Sequence, residues 1–311
     1  MDFSVIIATR NRARLLEATL GHLRNQDLVN ARWELIVVDN NSEDETPAVV
    51  ARAGAHLPVV ALREPRAGQN RARNRALEVA RGELLVFTDD DVVPDPRWLA
   101  ELIGATRRWP DHNIFCGRIS PLYPAETPEW LRSAVDIVRF EPAVNEGPLS
   151  PDLLPYSPNM AFRNCILANV KFSEHIGPQG TDYAMGSETE LLRRLRAAGA
   201  EIVYVPSARV EHVIQEHQLT IKSLRGRSFR AGRGLTRLEP DFQSARLFGA
   251  PRWLWRALAA AWLRYASSVF SGRRTRFELG QRFHYLRGCV AEYGILAREA
   301  MSTDGAKHGS V

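Results

Sequence analysis

Short runs of β-branched and apolar residues alternate with helical periodicity through the first third of the chain. Ser4 to Thr9, Trp33 to Asp39, Val59 to Arg63 and Leu84 to Asp89 read as strands, with helices over Leu15 to Asn25, Thr46 to Ala53 and Gln69 to Arg81 between them. Runs such as Val5-Ile6-Ile7 and Leu35-Ile36-Val37-Val38 lack polar alternation, as strands covered on both faces do. The βαβα rhythm predicts an α/β fold with a mostly parallel sheet and helices on both faces. Polar clusters close three of the strands: Thr9-Arg10-Asn11, Asp39-Asn40-Asn41 and Asp89-Asp90-Asp91. Open α/β sheets bind ligands outside the carboxyl ends of their strands, so the three clusters are expected to converge on one crevice.

From Cys116 to Asn164 prolines and aromatics thicken, which predicts irregular chain crossing the sheet and walling an acceptor site. Ser187-Glu188-Thr189-Glu190 supplies a cap and first-turn acids for a helix that Gly199 ends after Ala198, and a strand follows over Glu201 to Val205. A main domain over 1–217 and a helical extension over 218–311 are expected.

Length and composition change this picture little. At 311 residues with 45% hydrophobic and 25% charged residues, the chain can bury a large core. Its three cysteines have neither metal-finger nor redox-motif spacing, which favours a reducing compartment. The start, MDFSVIIATRN, reads as a first strand and not as a secretion signal, and no apolar stretch approaches the roughly 18 residues that a membrane helix needs. A cytoplasmic protein is expected.

Charge matters more. The net charge is +5, but the C-terminal third is dominated by arginine, from Arg225 to Arg287, with few acids between. That asymmetry points to an anionic partner, the alternative being a solvated basic face. Trp255, Leu258, Ala259, Trp262, Ala266, Val269 and Phe270 follow helical spacing among these arginines. Such a helix suits an anionic membrane surface, which would place the protein peripherally on the inner face. Packing on protein is the other reading. Nothing like GxGxxG follows the first strand, so a dinucleotide oxidoreductase is unsupported. A nucleic-acid partner is not expected, because no reader fold or stacking motif accompanies the basic residues.

Three clusters carry chemistry. Asp89-Asp90-Asp91 packs like charges at a buried strand end, where something positive must offset them. Oxygen ligands there suit Mg2+ or Mn2+ bridging a diphosphate, although acids that merely cap a following helix share the pattern. Gly68-Gln69-Asn70-Arg71 opens a helix whose free amides and Arg71 can meet a phosphate or a base, or else form a solvated surface. Glu188 and Glu190, two residues apart on a helix, cannot share a face, so one of them can serve as a general base, the alternative being first-turn acids that only favour the helix dipole.

Ser4-Val5-Ile6-Ile7-Ala8-Thr9-Arg10-Asn11-Arg12, Val37-Val38-Asp39-Asn40-Asn41-Ser42, Ala76-Leu77 to Gly82-Glu83, Asp89-Asp90-Asp91 and Pro158-Asn159-Met160-Ala161-Phe162-Arg163 together resemble glycosyltransferase family 2 in order and spacing. The resemblance implies a GT-A fold and inverting transfer from a nucleotide-sugar donor, with a divalent metal, to a saccharide or lipid-linked acceptor. It places Thr9, Asp39, Arg71, Asp89 and Asp90 on the nucleotide-sugar, Asp91 and His212 on the metal, and Glu188 as catalytic base. Ser187 and Glu188 depart from the family's commoner pair of acids, which leaves a nucleotide-sugar-binding protein without turnover as the alternative reading.

Overall fold

The structure, a computed structural model, describes residues 1–28, 30–135 and 137–308, with side chains through 300. The chain divides into two compact units. The first comprises Met1–Tyr123, Asp136–His175 and Ser187–Ile214, and the second Pro124–Val135, Ile176–Gly186 and Gln215–Val311. Two segments ahead of residue 217 thus belong to the second unit.

The first unit alternates β1 (Phe3–Thr9), α1 (Ala13–Arg24), β2 (Trp33–Asp39), α2 (Thr46–Ala53), β3 (Val59–Arg63), α3 (Gln69–Leu77) and β4 (Leu84–Thr88). It continues with β5 (Val92–Pro94), α4 (Trp98–Arg108) and β6 (Ile114–Leu122). After α5 (Glu129–Ala134) of the second unit come β7 (Gly147–Pro148), β8 (Met160–Arg163), α6 (Asn164–Leu167), α7 (Ser187–Ala197) and β9 (Ile202–Val213). The sheet order is β3-β2-β1-β4-β8-β6-β9-β5, with β7 beside β9. β3, β2, β1 and β4 are mutually parallel, as the continuous apolar stretches of β1, β2 and β4 predict, while β8, β5 and β7 run antiparallel to their neighbours. The apolar residues of β1, β2 and β4 are buried except for Ala8 and Trp33, which are partly covered, and Trp98 and Phe162 belong to the same core.

Two expectations are corrected here. The stretch from Cys116 to Asn164 is not irregular throughout: it contributes most of the nine-residue β6, together with β7 and β8. Pro121 is tolerated because it lies next to the last residue of β6, past the register shift at Gly117/Arg118. Gly117 is required at that shift, since a Cβ there would sit 2.1 Å from Ala208 O. The final strand runs on to Val213, well past Val205, because β5 pairs with its far end.

Glu34 ties the parallel strands together. Its buried carboxylate accepts from Ser4 Oγ at 2.7 Å, from the Arg81 amide at 2.7 Å and from Arg81 Nη2 at 2.8 Å. Burial pushes its pKa up, but the Arg81 amide, the Ser4 hydroxyl and the Arg81 guanidinium outweigh it and hold the carboxyl below its ordinary value. A depressed carboxylate pKa adds stability that is complete above the unfolded-state value and is lost as pH falls through the folded one. Glu34→Gln is therefore expected to cost about 1–3 kcal/mol at pH 7, with the deficit shrinking in acid. Urea denaturation of both proteins across the acid range checks this; a pH-independent deficit would show that packing and not charge is what Glu34 supplies.

The second unit is helical. It contains α5, α8 (Ile221–Leu238), α9 (Arg252–Ser267) and α10 (Arg273–His308), with a small hairpin of β10 (Arg246–Leu247) and β11 (Ala250–Pro251) before α9. Backbones approach closely where Gly232 of α8 meets α10, since a Cβ there would lie 2.0 Å from Tyr285 O. Leu254 and Ala261 of α9 join Leu286, Cys289 and Tyr293 of α10 in the core. The single apolar stripe expected along α9 is thus split. Trp255 and Leu258 turn toward the core, while Trp262, Leu263, Val269 and Phe270 are exposed. Part of the basic row is internal too, because Arg233 and Arg237 both bind the fully buried Glu292. No helix among the described residues is long and apolar enough to cross a membrane.

Candidate active site

Register brings the polar clusters together. Thr9 of β1 lies opposite Asp39 of β2, and Ile7 opposite Thr88 of β4, so the three strands end at one level and Asp89 follows directly. Behind Asp39, Asn40 clamps the turn into α3: its amide donates to Glu64 O and Arg66 O, and its Oδ1 accepts from Gly68 N at 2.8 Å. Gly68 adopts φ 142°, a conformation that L side chains rarely take, and this turn starts α3. The Asp39 carboxylate is buried and accepts from Ser42 N at 2.9 Å.

The three consecutive aspartates face three ways. Asp90 turns inward, accepting from Thr9 Oγ1 at 2.6 Å and from Arg12 Nη1 at 2.9 Å. Asp91 takes the same guanidinium nitrogen at 2.6 Å and lies 3.2 Å from His212 Nε2. Asp89 accepts from Ser157 Oγ at 3.2 Å and sits 3.5 Å from Arg73 Nη2. His212 reaches this point because β5 sets Val92 opposite it, and Val213 N donates to Asp91 O at 2.8 Å.

Burial and charge give these groups distinct titrations. Burial raises the Asp90 carboxyl to about 6, against the pull of Arg12 and with the push of Asp91. Asp89 is raised by burial too, only partly offset by Arg73. For Asp91 burial is overcome by His212 and Arg12, and its pKa falls. His212 is raised in turn: burial and Arg12 act downward, and Asp91 and Asp89 act upward more strongly.

Ligand atoms of Asp89, Asp91 and His212 all lie within 4.8 Å of one another. Asp91 Oδ1 is buried and faces only His212 Nε2, 3.2 Å away, and His212 Nδ1 lacks a partner. A buried carboxylate oxygen met by a single imidazole keeps acceptor capacity that a cation can fill. Two carboxylates and an imidazole suit a divalent ion of the Mn2+ or Mg2+ kind, so the residues present fit such a metal.

Glu188 occupies the first turn of α7, and its Oε1 accepts from Arg73 Nη1 at 2.9 Å. The Arg73 side chain is only 3% exposed, lies over the Phe172 ring, and links Glu188 to Asp89. Asn74 holds that ring in place through two hydrogen bonds to the Phe172 backbone, each 2.9 Å. Burial acts to raise the Glu188 pKa, but Arg73, its own backbone amide and Ser157 outweigh it, so the carboxylate is ionised at neutral pH. Glu190 points elsewhere and forms an i,i+4 pair with Arg194 at 2.6 Å.

Thr9, Asp89, Asp90, Asp91, His212 and Glu188 thus meet in one crevice, with Asp39 at the neighbouring strand end. Arg71 is engaged differently, donating to Glu174 Oε2 at 3.0 Å and to Ala67 O at 3.3 Å. Motif reading passed over Arg12 and Arg73, which supply the positive charge that the acid triplet demands. Their signal was present, since both stand in the polar stretches that close β1 and open α3.

The family model described as "Glycosyl transferase family 2" matches residues 4–163, about half of the chain. The chain belongs to glycosyltransferase family 2. Glu188 and His212 lie beyond the matched stretch. Within the family, the chain is 30% identical over 219 residues to the pre-mycofactocin glycosyltransferase of Mycobacterium tuberculosis H37Rv, covering 68% of this chain and 42% of the relative. The chain therefore spans less than half the length of that relative. Among solved structures, mannosyltransferase PcManGT from Pyrobaculum calidifontis, in complex with GDP-Man and Mn2+, superposes with TM-score 0.61 at 19% identity, over 93% of this chain and 86% of that one. Staphylococcus aureus TarS with UDP-GlcNAc gives 0.58 at 15% identity, over 94% of this chain and 92% of that one. These likenesses establish the GT-A fold.

Proposed function

We propose that this glycosyltransferase family 2 member moves a sugar from a nucleotide-diphosphate donor to a saccharide or lipid-linked acceptor with inversion at the anomeric carbon. The carrying observation is that Arg73 holds an ionised Glu188 next to Asp89, with Asp91 and His212 close behind. Mn2+ or Mg2+ held by Asp89, Asp91 and His212 would neutralise the donor diphosphate. Thr9 and Asp39 line the nucleoside end at the tips of β1 and β2, and Arg71 meets the base or diphosphate in exchange for its Glu174 pair. Glu188 takes the acceptor's hydroxyl proton as that oxygen bonds to the anomeric carbon and the bond to the leaving phosphate breaks. Arg12 and Arg73 keep the acid triplet compact before the donor arrives.

Complexes of fold neighbours with UDP-GlcNAc and GDP-Man make uridine and guanosine donors the first to test. The acceptor reading, glycan synthesis on the cytoplasmic face of a membrane, is supported by the cationic second unit. Proton NMR of the product from an α-linked donor tests the reaction type: a β-linked product is expected, and retained configuration would overturn the role given to Glu188. A binding protein without turnover is the second reading, favoured only by the departure of Ser187-Glu188 from the usual acid pair.

A further inference from the structure

The helical unit contains a cavity of about 610 Å³ between the first turns of α8, the segment at Thr181 and Asp182, and α10. Its lining is cationic: Lys222, Arg225 and Arg230 from α8, with His284 and Arg287 from α10. Asp182, the one carboxylate in that lining, is taken up by Arg233. Among the described residues none of the four lysine and arginine side chains pairs with a carboxylate. Arg225 and Arg230 lie over the Tyr265 and Tyr183 rings, Arg287 lies near the Phe229 and Phe283 rings, and the buried Arg230 Nε has no acceptor. Burial lowers the His284 pKa, and the charges of Arg287 and Arg225 lower it further. So much unpaired positive charge around one cavity calls for an anion with several acceptor oxygens.

An apolar surface adjoins it. Tyr265, which touches Arg225, stands one helical turn after Trp262 on α9 and stacks on Phe283. Trp262, Leu263 and Val269 are more than half exposed, and Phe270, just beyond the helix, is 98% exposed. Exposed tryptophan and phenylalanine beside arginine are the side chains that settle at the boundary between lipid headgroups and acyl chains.

We propose that the Lys222–Arg225–Arg230–Arg287 cavity binds the phosphate of a lipid headgroup while Trp262, Leu263 and Phe270 enter the adjoining apolar layer. The inference rests on the membrane-face location proposed above and names the surface that provides it. It requires no donor turnover.

Co-sedimentation of the full chain with vesicles tests it, using phosphatidylcholine alone and phosphatidylcholine mixed with phosphatidylglycerol. Wild type is expected to favour the anionic vesicles, with binding that weakens as salt rises. Lys222 and Arg287 are exposed, so Lys222→Gln with Arg287→Gln spares the core and should weaken anionic-vesicle binding about 30-fold. Trp262→Ser with Phe270→Ser should weaken binding to both vesicle types. A charge-matched control in the first unit, Arg24→Gln with Arg107→Gln, should change little. Equal partition onto the two vesicle types at low salt, or a control that loses as much as the cavity variant, overturns the proposal. So does cavity-dependent binding of inorganic phosphate by a chain that ignores vesicles, since the cavity would then serve a soluble phosphate. Nucleotide binding and turnover, measured on the same preparations, separate this outcome from failure of the proposed reaction.

Discussion

Glu188→Gln is expected to lower turnover about 10²- to 10⁴-fold while nucleotide affinity stays near wild type. The substitution keeps the shape and lets the side-chain carbonyl still accept from Arg73, 2.9 Å away in the native site. It removes only the capacity to take a proton. A sugar hydroxyl is a poor nucleophile at neutral pH, so loss of proton acceptance falls on the transition state and not on the donor complex. Glu190→Gln is the matched control, because Glu190 is spent on a surface pair with Arg194 that is worth a few tenths of a kcal/mol. Glu190→Gln abolishing transfer while Glu188→Gln spared it would move the base by two residues and undo the register read from α7.

The second large effect is expected at Asp91. Asp91→Ala removes the most strongly ionised acid of the triplet, one whose Oδ1 faces His212 Nε2 at 3.2 Å in the native site. Manganese-dependent nucleotide affinity should fall by about 100-fold or more, since even residues that only support metal ligands cost 10- to 100-fold when lost. The fold should survive, because Arg12 keeps its contact with Asp90. Calorimetric titration of nucleotide with and without Mn2+ reads the effect. Unchanged affinity in the variant with metal present would remove Asp91 from the cation site.

Much of this arrangement was legible in the sequence, for physical reasons that also mark where reading stopped. The parallel strands announced themselves because burial on both faces leaves nothing polar in Val5-Ile6-Ile7 or Leu35-Ile36-Val37-Val38, and the acids after Phe87-Thr88 then stood out as strand-end chemistry. The later strands were harder. β6 ends in Ser120-Pro121-Leu122, and β8 is only four residues long, so neither presents a run that periodicity can find. The family resemblance put His212 with the metal ligands, but its place beside Asp91 depends on β5 pairing back onto the far end of β9, a contact that no local pattern encodes. Arg73 was missed because alternation along α3 hides which arginine faces inward; Arg71 and Arg75 bind Glu174 and Glu78 at the surface, while Arg73 is buried. The basic row of the second unit likewise mixed two roles, and only the structure separates Arg233 and Arg237, bound to Glu292, from the cations that line the cavity.

The central claim is that the crevice formed by Asp89, Asp91, His212 and Glu188 turns over a nucleotide-sugar. Its most direct test is the release of nucleoside diphosphate from a panel of uridine and guanosine donors, with and without Mn2+, by wild type and Glu188→Gln side by side. The expected result is manganese-dependent release by wild type from at least one donor and near-silence from Glu188→Gln, with equal donor binding by both. Tight manganese-dependent binding of a donor by wild type, with no release above the Glu188→Gln level from any member of the panel in the presence of saccharide and lipid-linked acceptors, would contradict it and leave a nucleotide-sugar-binding protein in place of an enzyme.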